Sequence, residues 1–263
     1  MWDTFIVTPL TNVLLWIYGI FGGNFGLAII LFTILIRLVT HPLMASQIKS
    51  SQKMQEMQQS KKWQEIQKKN KGDKEKLAQE QMKLYKELGI SPFGSCLPTI
   101  IQIPIIFGLY QSIMRALVAS PLQLLTLTRS VYAVFDTPAL LPLNSHFLWM
   151  NLGQAPEKIF LPFLTSGIPN PTLAIIVALT TYVQSKLTMP PSTNPNDQSA
   201  AMGKMMALYM PLLLGYFSLT FASGLSVYFI ISNLVGILQY ALLGKVNWRN
   251  LLPGAKKEAA KSK

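Results

Sequence analysis

Residues 24–42 read NFGLAIILFTILIRLVTHP, an apolar helix long enough to cross a bilayer with one arginine, Arg37, set deep inside it. If the span covers residues 26–44, a rise of ~1.5 Å per residue puts Arg37 roughly 16 Å from one end and about 10 Å from the other. A guanidinium at that depth costs about 2.5–3.5 kcal/mol on insertion scales unless it faces water or a partner inside the protein. The position therefore reads as a functional site. The alternative is a snorkelling arginine that bends to the headgroups with help from a kink near His41-Pro42. Thr33, one turn earlier, shares the helical face of Arg37 and can line the same polar surface.

The rest of the chain supports a membrane setting. Its 263 residues are 50% hydrophobic and only 13% charged, with a net charge of +12, about half the charge density needed to cover a soluble domain. Charge-free runs extend over residues 4–36, 88–114, 159–185 and 205–244. A span takes ~20 residues, so the last run holds two helices, turning at Ser223-Gly224. Gly22-Gly23-Asn24 breaks the first run. The piece at 11–21, with Trp16 and Tyr18, is too short to cross and suits the membrane interface. The expected fold is all-α and polytopic: an interfacial helix within 1–22, then spans at 23–44, 92–116, 171–189, 204–222 and 224–244.

Cations between these spans set the orientation. Eleven lysines fall between residues 45 and 92, two in the loop 186–204 and six basic residues after Gly244, against Arg115, Arg129 and Lys158 on the other side. The positive-inside rule puts the N-terminus outside and the C-terminus in the cytoplasm, which fits a bacterial plasma membrane. No removable signal peptide is expected, since the start lacks a basic region and a small-residue cleavage site.

Between the spans, residues 45–91 are rich in Lys, Gln, Glu and Met. They read as a cytoplasmic helical hairpin of two helices, turning at residues 70–73, with a thin apolar line of Met54, Met57, Ile66, Leu77, Leu84 and Leu88. Its methionines and lysines suit transient apolar and anionic partners. The extracytoplasmic loop 117–170 is rich in proline and has apolar patches at FLWM and IFLPFL. Residues 190–203 form a cytoplasmic loop and 245–263 a basic tail. Inside the second span the Gln102 and Gln111 amides call for a bundle interior or a wet cavity, with ordinary interhelical hydrogen bonding the preferred reading for Gln111. Thr180 and Gln184 share a face near the cytoplasmic end of the third span, and Ser226, Ser232 and Asn233 lie on the last.

Catalytic chemistry is not expected. No Asp or Glu falls inside a span, His41 and His146 lie on other elements than the serine-bearing turn Gly224-Leu225-Ser226, and the lone Cys96 offers no metal spacing. Neither a metal nor a cofactor is implied. One buried cation without an intramembrane anion leaves room for an acidic group on a passing client. A polar groove open to the cytoplasm would lower the cost of carrying a hydrophilic segment part-way through hydrocarbon.

These residues resemble the YidC/Oxa/Alb membrane protein insertases, in particular the short five-span bacterial form. The likeness rests on GNFGLAIILFTILIRL, on MKLYKELGISPFGSCLPTIIQIPIIFGLY, on FLWMNL and on SGLSVYFIISNLVGILQ, in that order. It implies five helices around a cytoplasm-open hydrophilic groove, in which the arginine matched by Arg37 attracts acidic groups of a client. Thr33, Gln102, Gln184 and Ser232 are the other candidate groove residues. Family members place lipid-facing aromatics on the last span against the client, which points here to Phe229. The family's PAGL and Tyr-Trp pattern appears in this chain as Ala222-Ser223-Gly224-Leu225 and Tyr228-Phe229. The implied partners are nascent membrane protein clients, the lipid bilayer, the ribosome and the Sec translocon, with no small-molecule substrate. A small anion transporter or channel selecting through Arg37 is the competing reading, and a purely structural assembly factor a third.

Overall fold

The computed structural model describes residues 1–70, 73–89, 97–117, 143–159, 168–188 and 198–244, with positions 127, 131, 132 and 246. Cys96, the loop 190–197 and the tail beyond 246 lie outside the described residues, as does much of the extracytoplasmic loop. The described part is mostly helical.

A π-type opening, Asp3–Val7, runs directly into α1 (Thr8–Ile20), so the first rod is longer than the piece expected at 11–21. It ends where Gly22 and Gly23 adopt positive φ, a conformation that favours glycine. Asn24 then opens α2 (Phe25–Val39): its side chain accepts from Leu27 N at 3.1 Å, capping the helix. Phe25, Ala28, Ile29 and Phe32 follow the i, i+3, i+4, i+7 spacing of a core-facing stripe, and all are buried.

The span expected at 23–44 is not one straight helix. At Thr40 the chain bends by 56° into α3 (His41–Gln59). Pro42 has no N–H to give Leu38 O, and Thr40 Oγ1 donates back to Ile36 O at 2.8 Å. Each change loosens the local ladder and favours a kink. Among the described residues, two helices are long and apolar enough to cross a membrane, residues 3–20 and 223–242, and a third if α2 and α3 form one broken span.

Further on lie α6 (Leu97–Ala116), α7 (Thr172–Thr188), α8 (Gln198–Thr220) and α9 (Ser223–Leu242). The turn before α9 falls at Phe221-Ala222, so Ser223-Gly224, expected as the turn, is instead the first turn of that helix. Helix α9 is the centre of the bundle, packing on α2, α6 and α7. Side-chain pairs give the directions. Arg37 meets Ser232 while Gly26 and Gly224 both lie against the 143–154 segment, so α2 and α9 run parallel. Thr181 meets Asn233 and Gln184 meets Gly236, so α7 runs with them. Gln102 meets Tyr228 and Ile113 meets Gly224, so α6 runs the other way. Gly215 meets Ala174 and Ala178, and Ser218 meets Ser226, so α8 does too.

Although the rod Asp3–Ile20 is long enough to cross, both of its ends are tied to the same end of the bundle. Asp3 pairs with Arg115 near the end of α6, and the Tyr18 hydroxyl accepts from Asn144 N at 3.0 Å beside the start of α2. The rod therefore lies across the bundle rather than along it.

That end is covered by a short hairpin, β1 (His146–Phe147) paired antiparallel with β2 (Met150–Asn151). A second two-stranded ribbon joins β3 (Lys158–Ile159) to β4 (Ile168–Pro169). The first-turn N–H groups of α9 would otherwise be orphaned, and the cover satisfies them: Ser223 N donates to Gln154 O (2.8 Å) and Gly224 N to Leu152 O (3.0 Å). Phe147 packs where Gly26 lacks a side chain. A Cβ at Gly26 would fall 2.1 Å from the Phe147 ring. Gly26→Val is therefore expected to expel that ring and lower stability by about 1–3 kcal/mol, seen as a reduced unfolding temperature in detergent. An unchanged temperature would mean the ring is not seated there.

Among the described residues, the hairpin expected at 45–91 has three helices. Ser60 splits its first limb, donating to Met57 O (2.6 Å) and accepting from Trp63 N (3.2 Å), which starts α4 (Lys61–Lys69). Asp73 accepts from Lys76 N to open α5 (Lys74–Glu87). Met57, Trp63, Leu84 and Tyr85 are buried together, with Met54, Ile66 and Leu77 packed around them. Leu88, expected on this line, is exposed. Burial pushes the Tyr85 hydroxyl above its ordinary pKa, partly offset by the hydrogen bond from Gln81.

Candidate functional site

Arg37 lies in the last turn of α2, half-buried, above the Thr40 bend. Its Nε donates to Ser232 Oγ at 3.0 Å and its Nη2 donates to the same oxygen at 2.5 Å. Among the described residues no carboxylate reaches it, and its other guanidinium donors meet no protein acceptor. One neutral hydroxyl does not balance a full charge in a low-dielectric setting. The guanidinium is thus partnered, not free, but its charge is uncompensated by any anion in these helices.

Other polar groups converge on this point from three helices. On α6, the Gln102 amide donates to the Tyr228 hydroxyl, one turn before Ser232 on α9. On α7, Gln184 fills the space left by Gly236. A Cβ at Gly236 would lie 2.5 Å from Gln184 Nε2 and 4.0 Å from Arg37 Nη1. On α9, Gln239 Nε2 donates to the Arg37 carbonyl at 2.9 Å, holding the end of α2, and its Oε1 is buried without a partner among the described residues. Asn233 joins α9 to α7 by donating to Thr180 (3.1 Å) and Thr181 (2.8 Å).

Of the candidate groove residues, Arg37, Gln102, Gln184 and Ser232 come together here. Thr33 is 0% exposed, and its hydroxyl donates to its own helix at Ile29 O (2.7 Å). Phe229 is 6% exposed, tucked into the core beside the Tyr228 ring rather than on a lipid-facing surface. Gln111, by contrast, takes an ordinary interhelical bond from Trp2 Nε1 at 2.9 Å.

Tyr228, named in the sequence only beside Phe229 in the last-span pattern, lies in this cluster with Gly236 and Gln239, which were not singled out in the sequence. Their signal is the spacing 228, 232, 236, 239, which lines one helix face with hydroxyl, hydroxyl, no side chain and amide.

A bundle of apolar helices with one arginine beside amides and hydroxyls has the composition of a helical membrane protein. The family model described as 60Kd inner membrane protein matches residues 16–249. Among similar proteins, membrane protein insertase YidC 2 of Bacillus anthracis is 32% identical over 245 residues, 92% of this chain and 81% of the relative. Membrane protein insertase MisCA of Bacillus subtilis (strain 168) is 33% identical over 92% of this chain and 78% of its own length. A crystal structure of an active YidC insertase with its first transmembrane domain resolved superposes with a TM-score of 0.54 at 24% identity, over 90% of this chain and 46% of that one, a likeness of fold. The chain belongs to the YidC/Oxa/Alb family of membrane protein insertases, and is a bacterial membrane protein.

Proposed function

We propose that the chain inserts membrane proteins by drawing short hydrophilic tails of its clients into a polar groove between α2, α6, α7 and α9, where Arg37 attracts their acidic groups. The observation that carries this reading is the guanidinium held by a neutral serine with no anion beside it among the described residues. A client carboxylate would supply the missing charge, and its apolar segment could then slide into lipid. Five crossings follow on this reading, α2, α6, α7, α8 and α9, with alternating directions, α1 in the interface, the N-terminus outside and the C-terminus in the cytoplasm. The covered end at 143–154 then faces outward and Arg37 lies on the cytoplasmic side of it. No chemical step is assigned; the role is that of an insertase and chaperone, acting alone or beside the Sec translocon.

A photo-crosslinking residue at Gln184 is expected to capture a stalled nascent membrane protein, whereas one at Leu212, exposed on α8, is not. Equal yields from the two would remove the groove as the client's path. Anion flux through the same vesicles above that of empty ones would instead support the transporter reading.

A further inference from the structure

The β1–β2 hairpin turns on Leu148 at φ 54°, the one described non-glycine residue with positive φ. A turn that places a residue there ordinarily recruits Gly or Asn, because a Cβ crowds the following carbonyl. Instead the turn carries Leu148 and Trp149, and both point away from the protein, 73% and 59% exposed. Backbone strain and two large apolar side chains in water are both unfavourable, and nothing among the described residues offsets them.

Their surroundings say what does. From residue 137 to 156 the sequence carries no Lys, Arg, Asp or Glu, unlike a segment bathed in water. Phe147 seats this hairpin against Gly26 at the start of α2, and the Tyr18 hydroxyl holds Asn144 beside it. The C-terminal part of α1, with exposed Trp16 and Ile20 and with Phe21 just beyond it, therefore lies at the same end of the bundle. Indole rings favour the level of the headgroups, where one edge is wet and the body apolar.

We propose that Leu148 and Trp149 form an interfacial anchor, a strained turn dipped into the outer leaflet that continues the apolar rim of α1. The partner is the phospholipid interface itself. This rests on the chain's place in a bilayer, but not on any role of Arg37. An anchored cover would hold the 143–154 segment over the bundle while a client moves below it.

The test uses full-length protein in which Trp149 is the sole tryptophan, with Trp2, Trp16, Trp63 and Trp248 changed to Phe. It is reconstituted in phosphatidylcholine vesicles brominated either near the glycerol end or near the methyl end of the acyl chains. Trp149 fluorescence is expected to be quenched, more strongly by the shallow bromines. A companion variant carries its only tryptophan as Leu212→Trp, on the exposed face of α8, and serves as a depth control quenched by the deep bromines. If that control is quenched and Trp149 is not, the anchor is overturned while the membrane reading stands. If neither is quenched, the bilayer placement fails as well. Should the four-Phe background not fold, Trp149→Cys in the otherwise unchanged chain, with Cys96→Ser, takes a spin label. Greater contact with dissolved oxygen than with a water-soluble nickel chelate is then expected, and the reverse would overturn the anchor.

Discussion

Arg37→Glu is expected to cut the initial insertion rate of clients with acidic tails at least tenfold in reconstituted vesicles, Arg37→Ala to cut it nearly as much, and Arg37→Lys to leave most of it. The magnitude follows from Coulomb's law. Opposite unit charges 4 Å apart attract by about 4 kcal/mol at an effective dielectric near 20, and even a third of that, about 1.4 kcal/mol, is tenfold in an equilibrium constant. Glutamate adds repulsion to the loss. Lysine keeps a point charge, although it cannot present the planar fork that now rests on Ser232 through two nitrogens.

Two controls separate attraction from architecture. Clients whose tails carry no acidic residue should be affected much less by all three changes, because they have nothing for the guanidinium to attract. Ser232→Ala should cost far less than Arg37→Ala, since it removes a neutral acceptor and leaves the charge. If all three Arg37 variants insert acidic-tailed clients at the rate of the unmodified chain, the charge mechanism is wrong for those clients, whatever the helices enclose.

The arginine was legible because its surroundings are so uniform: any cation among fourteen apolar or small neighbours in residues 24–39 stands out. Its partners were harder to read. Ser232 was identifiable only as a hydroxyl in an apolar helix, and nothing in its spacing from Arg37 pairs two residues 195 positions apart. The Thr40 bend was foreshadowed by Pro42, but its consequence, that α2 stops at Val39 and hands its last carbonyls partly to Gln239, depends on a contact between helices far apart in sequence. Phe229 illustrates the converse. A resemblance can align a residue with a family position, but whether a ring faces lipid or core is set by the rotation of α9, and here that rotation turns it inward.

The membrane helices and the charged hairpin were distinguishable from composition alone, yet how independent they are depends on packing. The apolar line on residues 45–91 looked too thin to make a core because Trp63 and Tyr85 were left out of it. With those two rings, Met57 and Leu84 close a small core of their own, and the main core draws on α1, α2, α6, α7 and α9 and on Leu127, Met150 and Leu152, with no described residue from 41 to 96. Two separate apolar cores are two units that can lose structure one at a time.

Replacing residues 49–87 with a Gly/Ser linker is therefore expected to abolish insertion while leaving the bundle folded. The measurements are client insertion in vesicles and the detergent unfolding temperature, with the second within a few degrees of the full chain. A milder probe is Trp63→Ala. Truncating a buried tryptophan costs about 3–5 kcal/mol, more than a core of four buried side chains can absorb, so the hairpin should become protease-sensitive between α3 and α5 with the helical bundle still resistant. Loss of the bundle together with the hairpin would show that α3, which touches α6, braces the membrane helices. Full insertion by the linker variant would instead reduce the hairpin to a solvated connector and leave client capture to the interior polar cluster alone.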